Sequence, residues 1–91
     1  MRQPSYSTQF KRDIKLMQKR NKDMQKLKEP MRLLIECMSL PEVYLDHPLK
    51  GNWKNYRDLH IQPDWLLIYK LEDNLVHFER TGRHVDLFEQ Y

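Results

Sequence analysis

This chain of 91 residues holds one cysteine and two glycines, and each shortage excludes something. A lone thiol at Cys37 rules out an intrachain disulfide framework and a thiolate metal cluster. So few glycines, with five prolines, leave no flexible linker or low-complexity tail. No stretch approaches the ~20 apolar residues of a membrane span. The opening MRQPSYSTQF lacks the apolar centre of a secretion signal, so the expected setting is the cytoplasm. A single domain over residues 1–91 is expected, since cores of this kind are built from about 100 residues. Cys37, in the run Leu33-Leu34-Ile35-Glu36-Cys37-Met38, reads as a small core residue.

What the chain does have is basic charge in its first third. Nine of its 16 Lys/Arg fall in residues 1–28 (Arg2, Lys11, Arg12, Lys15, Lys19, Arg20, Lys22, Lys26, Lys28), against Asp13 and Asp23 alone. The rest of the chain is net acidic, and the whole carries +3. Such a balance suits a polyanionic partner. The modest apolar content of this arm favours nucleic acid over membrane. Lys11, Arg12, Lys15 and Lys19 are the expected phosphate contacts, which dock a protein without reading sequence.

The hydrophobic spacing gives the elements. Residues 5–10 read as a short edge strand ending near Thr8, which then caps a helix to about Arg20 with its hydroxyl. Phe10, Ile14 and Met17 form that helix's apolar stripe. A second helical pattern runs through Met24, Leu27, Met31, Leu34, Ile35 and Met38, with a kink expected at Pro30. Residues 41–52 read as a surface loop. Three strands follow: Tyr56–Ile61, with Tyr56, Asp58 and His60 on one face; the continuously apolar Trp65–Leu71; and Leu75–Arg80. His84–Phe88 is a short strand or helical turn. The expected fold class is α+β: a short N-terminal strand and two helices packed on one face of a small, mainly antiparallel sheet. The other face is left for a groove.

All four histidines (His47, His60, His77, His84) lie in the second half. None shows HxH or HxxxH spacing, so no metal ligand set is read and no cofactor is expected. His77, between Val76 and Phe78, reads as structural. His60 and Asp64 flank the Gln62-Pro63 turn, and Arg80 and His84 straddle Thr81-Gly82. If the last two strands pair antiparallel, these four residues converge on one edge. Imidazoles, a carboxylate and a guanidinium together suit metal-free RNA cleavage. A base takes the 2′-OH proton, an acid protonates the leaving 5′-oxygen, and Arg80 steadies the phosphate. Trp65 or Phe88 is the candidate platform for an unpaired base, with Trp65 equally readable as a core aromatic.

The stretch DHPLKGNWK (46–54), then YRDLH (56–60), PDWLLIY (63–69), RTGRH (80–84) and Leu87-Phe88, closely resembles the YafQ branch of the RelE/ParE toxin superfamily. The resemblance reaches back to Asp13–Leu16 and Lys22–Met24. It implies a RelE-like fold and a type II toxin that cleaves mRNA in the ribosomal A site, is monomeric alone and forms a hetero-oligomer with a cognate antitoxin protein. It places His47, His60, Asp64, Arg80 and His84 in the catalytic groove, with Trp65 and Phe88 contacting the nucleotide. His84 is expected as general acid, Asp64 or His60 as base or orienting partner, Arg80 on the phosphate, and His47 assisting. The competing reading is a ParE-like toxin that grips a protein target without catalysis, since one fold serves both.

Overall fold

Ser7, rather than Thr8, starts the first helix. Its Oγ accepts from the Phe10 amide at 2.8 Å and donates to the Glu79 carbonyl at 2.7 Å. The cap therefore also ties the helix to a distant strand. In this computed structural model, which describes residues 1–88, the order is β1 (Gln3–Tyr6), α1 (Thr8–Lys19), α2 (Met24–Ile35), β2 (His47–Pro48), β3 (Arg57–Gln62), β4 (Trp65–Glu72), β5 (Leu75–Gly82) and α3 (His84–Phe88). Glu89, Gln90 and Tyr91 lie outside the described residues. The expected α+β class and mainly antiparallel sheet are what the structure has. Strand order is β1-β5-β4-β3-β2, with only β1–β5 parallel.

Both long helices end alike. Asn21 and Cys37 take positive φ (59° each), and the next amides, Lys22 and Met38, bond back to the Met17 and Leu33 carbonyls. This closes the carbonyls that a helix end leaves open. It also overturns the core reading of Cys37, which is exposed: the left-handed turn carries it out of the apolar phase of α2. A side chain in that backbone region costs roughly 1–2 kcal/mol that glycine does not. Cys37→Gly is thus expected to raise stability by about 1 kcal/mol, read from the urea midpoint at unchanged slope. Pro30 is buried within α2, which runs on as one element from Met24 to Ile35.

The sheet has a different apolar cluster on each face. Trp65, Leu67 and Tyr69 of β4 pack with Leu59, Val76 and Phe78 under Phe10, Met17, Leu27 and Leu34 of the helices. Leu66 and Ile68 face the other way, with Leu87 buried beside them and Leu49, Trp53, Tyr56 and Phe88 partly buried around. The continuous apolar run of β4 follows from burial on both faces.

The expected loop 41–52 is more ordered than a loop. It holds two 3₁₀ turns, Glu42–Tyr44 and Gly51–Trp53, and the edge strand β2 between them. Asp46 anchors it, accepting from Arg57 Nη2 at 2.8 Å and from the Tyr69 hydroxyl. Burial, then the bond to Asp46, pushes the Tyr69 phenol well above its ordinary range. β2 pairs with β3 in the register His47↔Asp58, which sets the first histidine against the sheet.

Candidate active site

The open face of the sheet is assembled by register. Asp58 lies opposite His47 on one side and Ile68 on the other, and Ile68 lies opposite Arg80. His60 pairs with Leu66, and Leu66 with Gly82. Directly paired residues share a face of a sheet. His47, Asp58, His60 and Arg80 are therefore set along one surface, above the Leu66–Ile68 cluster. Neighbouring strands are about 4.8 Å apart, so these rows are only a few such steps wide.

Arg80 is there because of a bulge. Val76 and Phe78 point into the helix-side core, and plain alternation would send Arg80 after them. The register slips between Ile68 and Tyr69, so Glu79 is the extra residue and Arg80 falls opposite Ile68. A bulge re-aims the side chains that follow it. Beyond Tyr6, β5 has no strand on its outer side among the described residues, and Asp13 of α1 takes that place. The Asp13 carboxylate accepts from Arg80 Nε at 2.8 Å and from the Thr81 amide at 3.1 Å. Asp13 is 5% exposed. It is thus a buried polar anchor on the apolar face of α1, and fixes the guanidinium at the groove's edge.

Asp64 and His84 meet directly. The Asp64 carboxylate Oδ1 accepts from the His84 amide at 3.0 Å and lies 2.7 Å from His84 Nδ1. A carboxylate accepts, so Nδ1 carries the proton and Nε2 is the nitrogen not engaged by Asp64. The His84 amide, then its ring, holds the Asp64 carboxyl below its ordinary range. The His84 ring lies 5.7 Å from that of His60, which lies 6.3 Å from that of His47. Phe88 flanks His84 at 6.4 Å between ring centroids, and Trp53 stands edge-on to Phe88 at 6.1 Å.

The short helix α3 that carries His84 is itself held down. Asp86 accepts from Arg20 at 2.8 Å and from the Arg83 amide at 3.0 Å. Burial works to raise this carboxyl, but the bonds from Arg20 and then Arg83 outweigh it and hold it far below the carboxylate range. Gly82 allows the approach: a Cβ there would stand 3.2 Å from Asp86 Oδ2.

One expectation changes. Trp65 is 0% exposed and donates from Nε1 to Thr81 Oγ1 at 2.9 Å. It is a core residue under the helices, because odd positions of β4 face them, and it offers no free face for a base. Lys11, Arg12, Lys15 and Lys19 are exposed, but on α1, in the layer opposite the histidines. They flank the site and do not line it. His77 bonds Ser5 Oγ at 2.9 Å and lies 3.1 Å from Glu79, away from the other three histidines.

The sequence reading missed Asp58, although the alternation of Tyr56, Asp58 and His60 already put it on His60's face. It is 3% exposed, with Oδ1 3.0 Å from His47 Nε2. Burial pushes its carboxyl up, against the pull of His47, His60 and His84. Donor atoms of His47, Asp58 and His60 lie within 4.8 Å of one another. Two of these already face each other in the His47–Asp58 contact, with the His60 imidazole beside them.

A family model described as the bacterial toxin of a type II toxin–antitoxin system, YafQ, matches residues 2–89. The chain belongs to the YafQ toxin family. It is 62% identical over 84 residues to the mRNA interferase toxin YafQ of Escherichia coli strain K12, covering 91% of each. Its fold matches YafQ in the crystal structure of the E. coli DinJ–YafQ complex at a TM-score of 0.90 and 60% identity, covering 97% of this chain and 99% of that one. A metal-bound toxin from Helicobacter pylori matches at a TM-score of 0.90 and 34% identity, covering 97% and 100%. The groove residues described above therefore sit on a YafQ scaffold along nearly its whole length.

Proposed function

We propose that this chain is an mRNA interferase of a type II toxin–antitoxin system, cleaving mRNA in the ribosomal A site by proton transfer between side chains. The observation that carries the reading is the Asp64–His84 contact, 2.7 Å long, with His60 next in line on the same open surface. His60 takes the proton from a ribose 2′-OH, and that oxygen attacks the adjacent phosphorus. The bond to the 5′-oxygen breaks as His84 Nε2 delivers its proton there. The products are a 2′,3′-cyclic phosphate and a 5′-hydroxyl end. Asp64 is the orienting partner rather than the base, because both its bonds go to His84. Arg80 faces the extra charge on the phosphate in the transition state. Phe88 gives a base a partly exposed ring to stack on.

A metal is not needed for any of these steps. The exposed Lys11, Arg12, Lys15 and Lys19 have the chemistry to hold ribosomal RNA backbone, leaving the groove to the messenger. A cognate antitoxin protein is the expected partner, as in the DinJ–YafQ assembly, and the cytoplasm the expected place of action. No helix among the described residues is long and apolar enough to cross a membrane.

Mapping transcript 5′ ends after induction, in cells without antitoxin, tests the reading. New 5′-hydroxyl ends in phase with the reading frame are expected, absent from untranslated RNA. Growth arrest with intact transcripts would select the protein-gripping alternative. Loss of cleavage to a transition-metal chelator that spares magnesium would overturn the metal-free mechanism.

A further inference from the structure

His47 stands in a setting built to hold one ring in one state. Its Nδ1 lies 2.9 Å from the Leu45 carbonyl oxygen. A carbonyl only accepts, so Nδ1 carries a proton. Leu45 aims that carbonyl from φ 52, a left-handed backbone in which a leucine is strained. Leu45 takes that conformation as the cap that closes the 3₁₀ turn Glu42–Tyr44, its amide donating to the Glu42 carbonyl at 2.9 Å, and this turns its own carbonyl toward His47. The opposite ring nitrogen, Nε2, meets Asp58 Oδ1 at 3.0 Å. This oxygen is buried and, among the described residues, has no aligned hydrogen bond. A buried carboxyl with so little company is expensive unless it serves something.

We propose that the Leu45 carbonyl and Asp58 together clamp His47 in a single orientation and tautomer, making Asp58 a positioning residue for the RNA cleavage. The inference rests on the ribonuclease reading and deepens it. With Nδ1–H given to Leu45 and Nε2 turned to a carboxyl, His47 has no free lone pair for a 2′-OH. Its part is then to hold a fixed ring in the wall of the groove, beside the phosphate. The task of base falls to His60, whose ring makes no hydrogen bond to protein among the described residues. The groups facing Asp58 are His47 from β2, His60 from β3, His84 from α3 and Asp46 from the turn before β2. Register supports the arrangement, since His47 and Asp58 are direct cross-strand partners on a two-residue edge strand that offers His47 little other support.

The test joins ring-nitrogen NMR on the full chain with single-turnover cleavage of mRNA on programmed ribosomes, for wild type, Asp58→Ala and Asp58→Asn. Wild-type His47 is expected to show a protonated Nδ1. Asp58→Ala should scramble that tautomer and lower the cleavage step by up to about 10²-fold, the scale for a misplaced group, with ribosome affinity unchanged. Asp58→Asn, which keeps a polar atom facing Nε2, should restore the tautomer and most of the rate. A merely structural Asp58 would change the melting temperature and leave the tautomer alone. Wild-type cleavage by Asp58→Ala, or an unprotonated Nδ1 in wild-type His47, overturns the proposal while the ribonuclease reading stands. Wild type that fails to cleave sinks that reading, and the proposal with it. Should Asp58→Ala not fold, the wild-type spectrum and Asp58→Asn still decide.

Discussion

His84→Ala is expected to lower single-turnover cleavage of ribosome-bound mRNA by roughly 10²–10⁴, the usual worth of a positioned general acid. The reason is local. Nδ1 is committed to Asp64, so Nε2 is the one nitrogen of His84 left to reach a leaving oxygen. Little stability should be lost with it. The side chain is 53% exposed, and the backbone amide of residue 84 keeps its bond to Asp64. Binding to the ribosome should also be unchanged, because the groups proposed to grip it lie on α1. Residues that act as one unit are not additive. The double variant with Asp64→Ala should therefore be no slower than His84→Ala alone. A His84→Ala protein that cleaves at the wild-type rate, or a double variant with multiplied losses, would remove the pair from the mechanism.

Trp65→Ala has the largest expected effect on stability, about 3–5 kcal/mol from lost packing and the cavity left behind. Small domains hold only about 5–15 kcal/mol in total, so this variant sits near the edge of folding. Trp65 is fully buried with Leu59, Tyr69 and Phe78 against the helices. Its Nε1–H is also one link in a buried chain: Trp65 to Thr81 Oγ1, and Thr81 Oγ1 to the Leu66 carbonyl at 2.7 Å. Trp65→Phe keeps most of the ring volume and drops the hydrogen bond, for a smaller loss of about 1–2 kcal/mol. Urea unfolding measures both. Cleavage by the Phe variant separates the two roles considered for this residue. A core tryptophan predicts near wild-type turnover in the folded fraction. A base-stacking one predicts weakened substrate binding, which would contradict the burial seen here.

Much of the frame was legible because hydrophobic periodicity is a local signal. The stripe Phe10, Ile14, Met17 and the unbroken run in β4 announce their own burial. The convergence of His60, Asp64 and His84 was legible too, since a tight turn and an antiparallel pairing leave little choice. The errors cluster where a single residue's backbone breaks the period. Cys37 leaves the core because α2 closes in a left-handed turn. The edge strand at His47 was read as loop because two residues carry no alternation to detect. Trp65 stayed open between core and groove, because only strand parity tells which face an aromatic at a turn edge takes.

Composition and spacing alone settled the helix–sheet class, the basic first third and the gathering of imidazoles in the second half, and the resemblance to a known family supplied the motif set. They left open which side chains share a surface, since that depends on register, and one extra residue reverses it. The bulge at Glu79 brings Arg80 to the groove, and the buried Asp13 keeps it there. The pairing His47↔Asp58 puts a desolvated carboxyl beneath a histidine fixed from its other side by the Leu45 carbonyl. The Asp13–Arg80 contact joins residues far apart in the chain, and its energy exists only once water has been excluded around it. Tertiary structure alone decided these contacts.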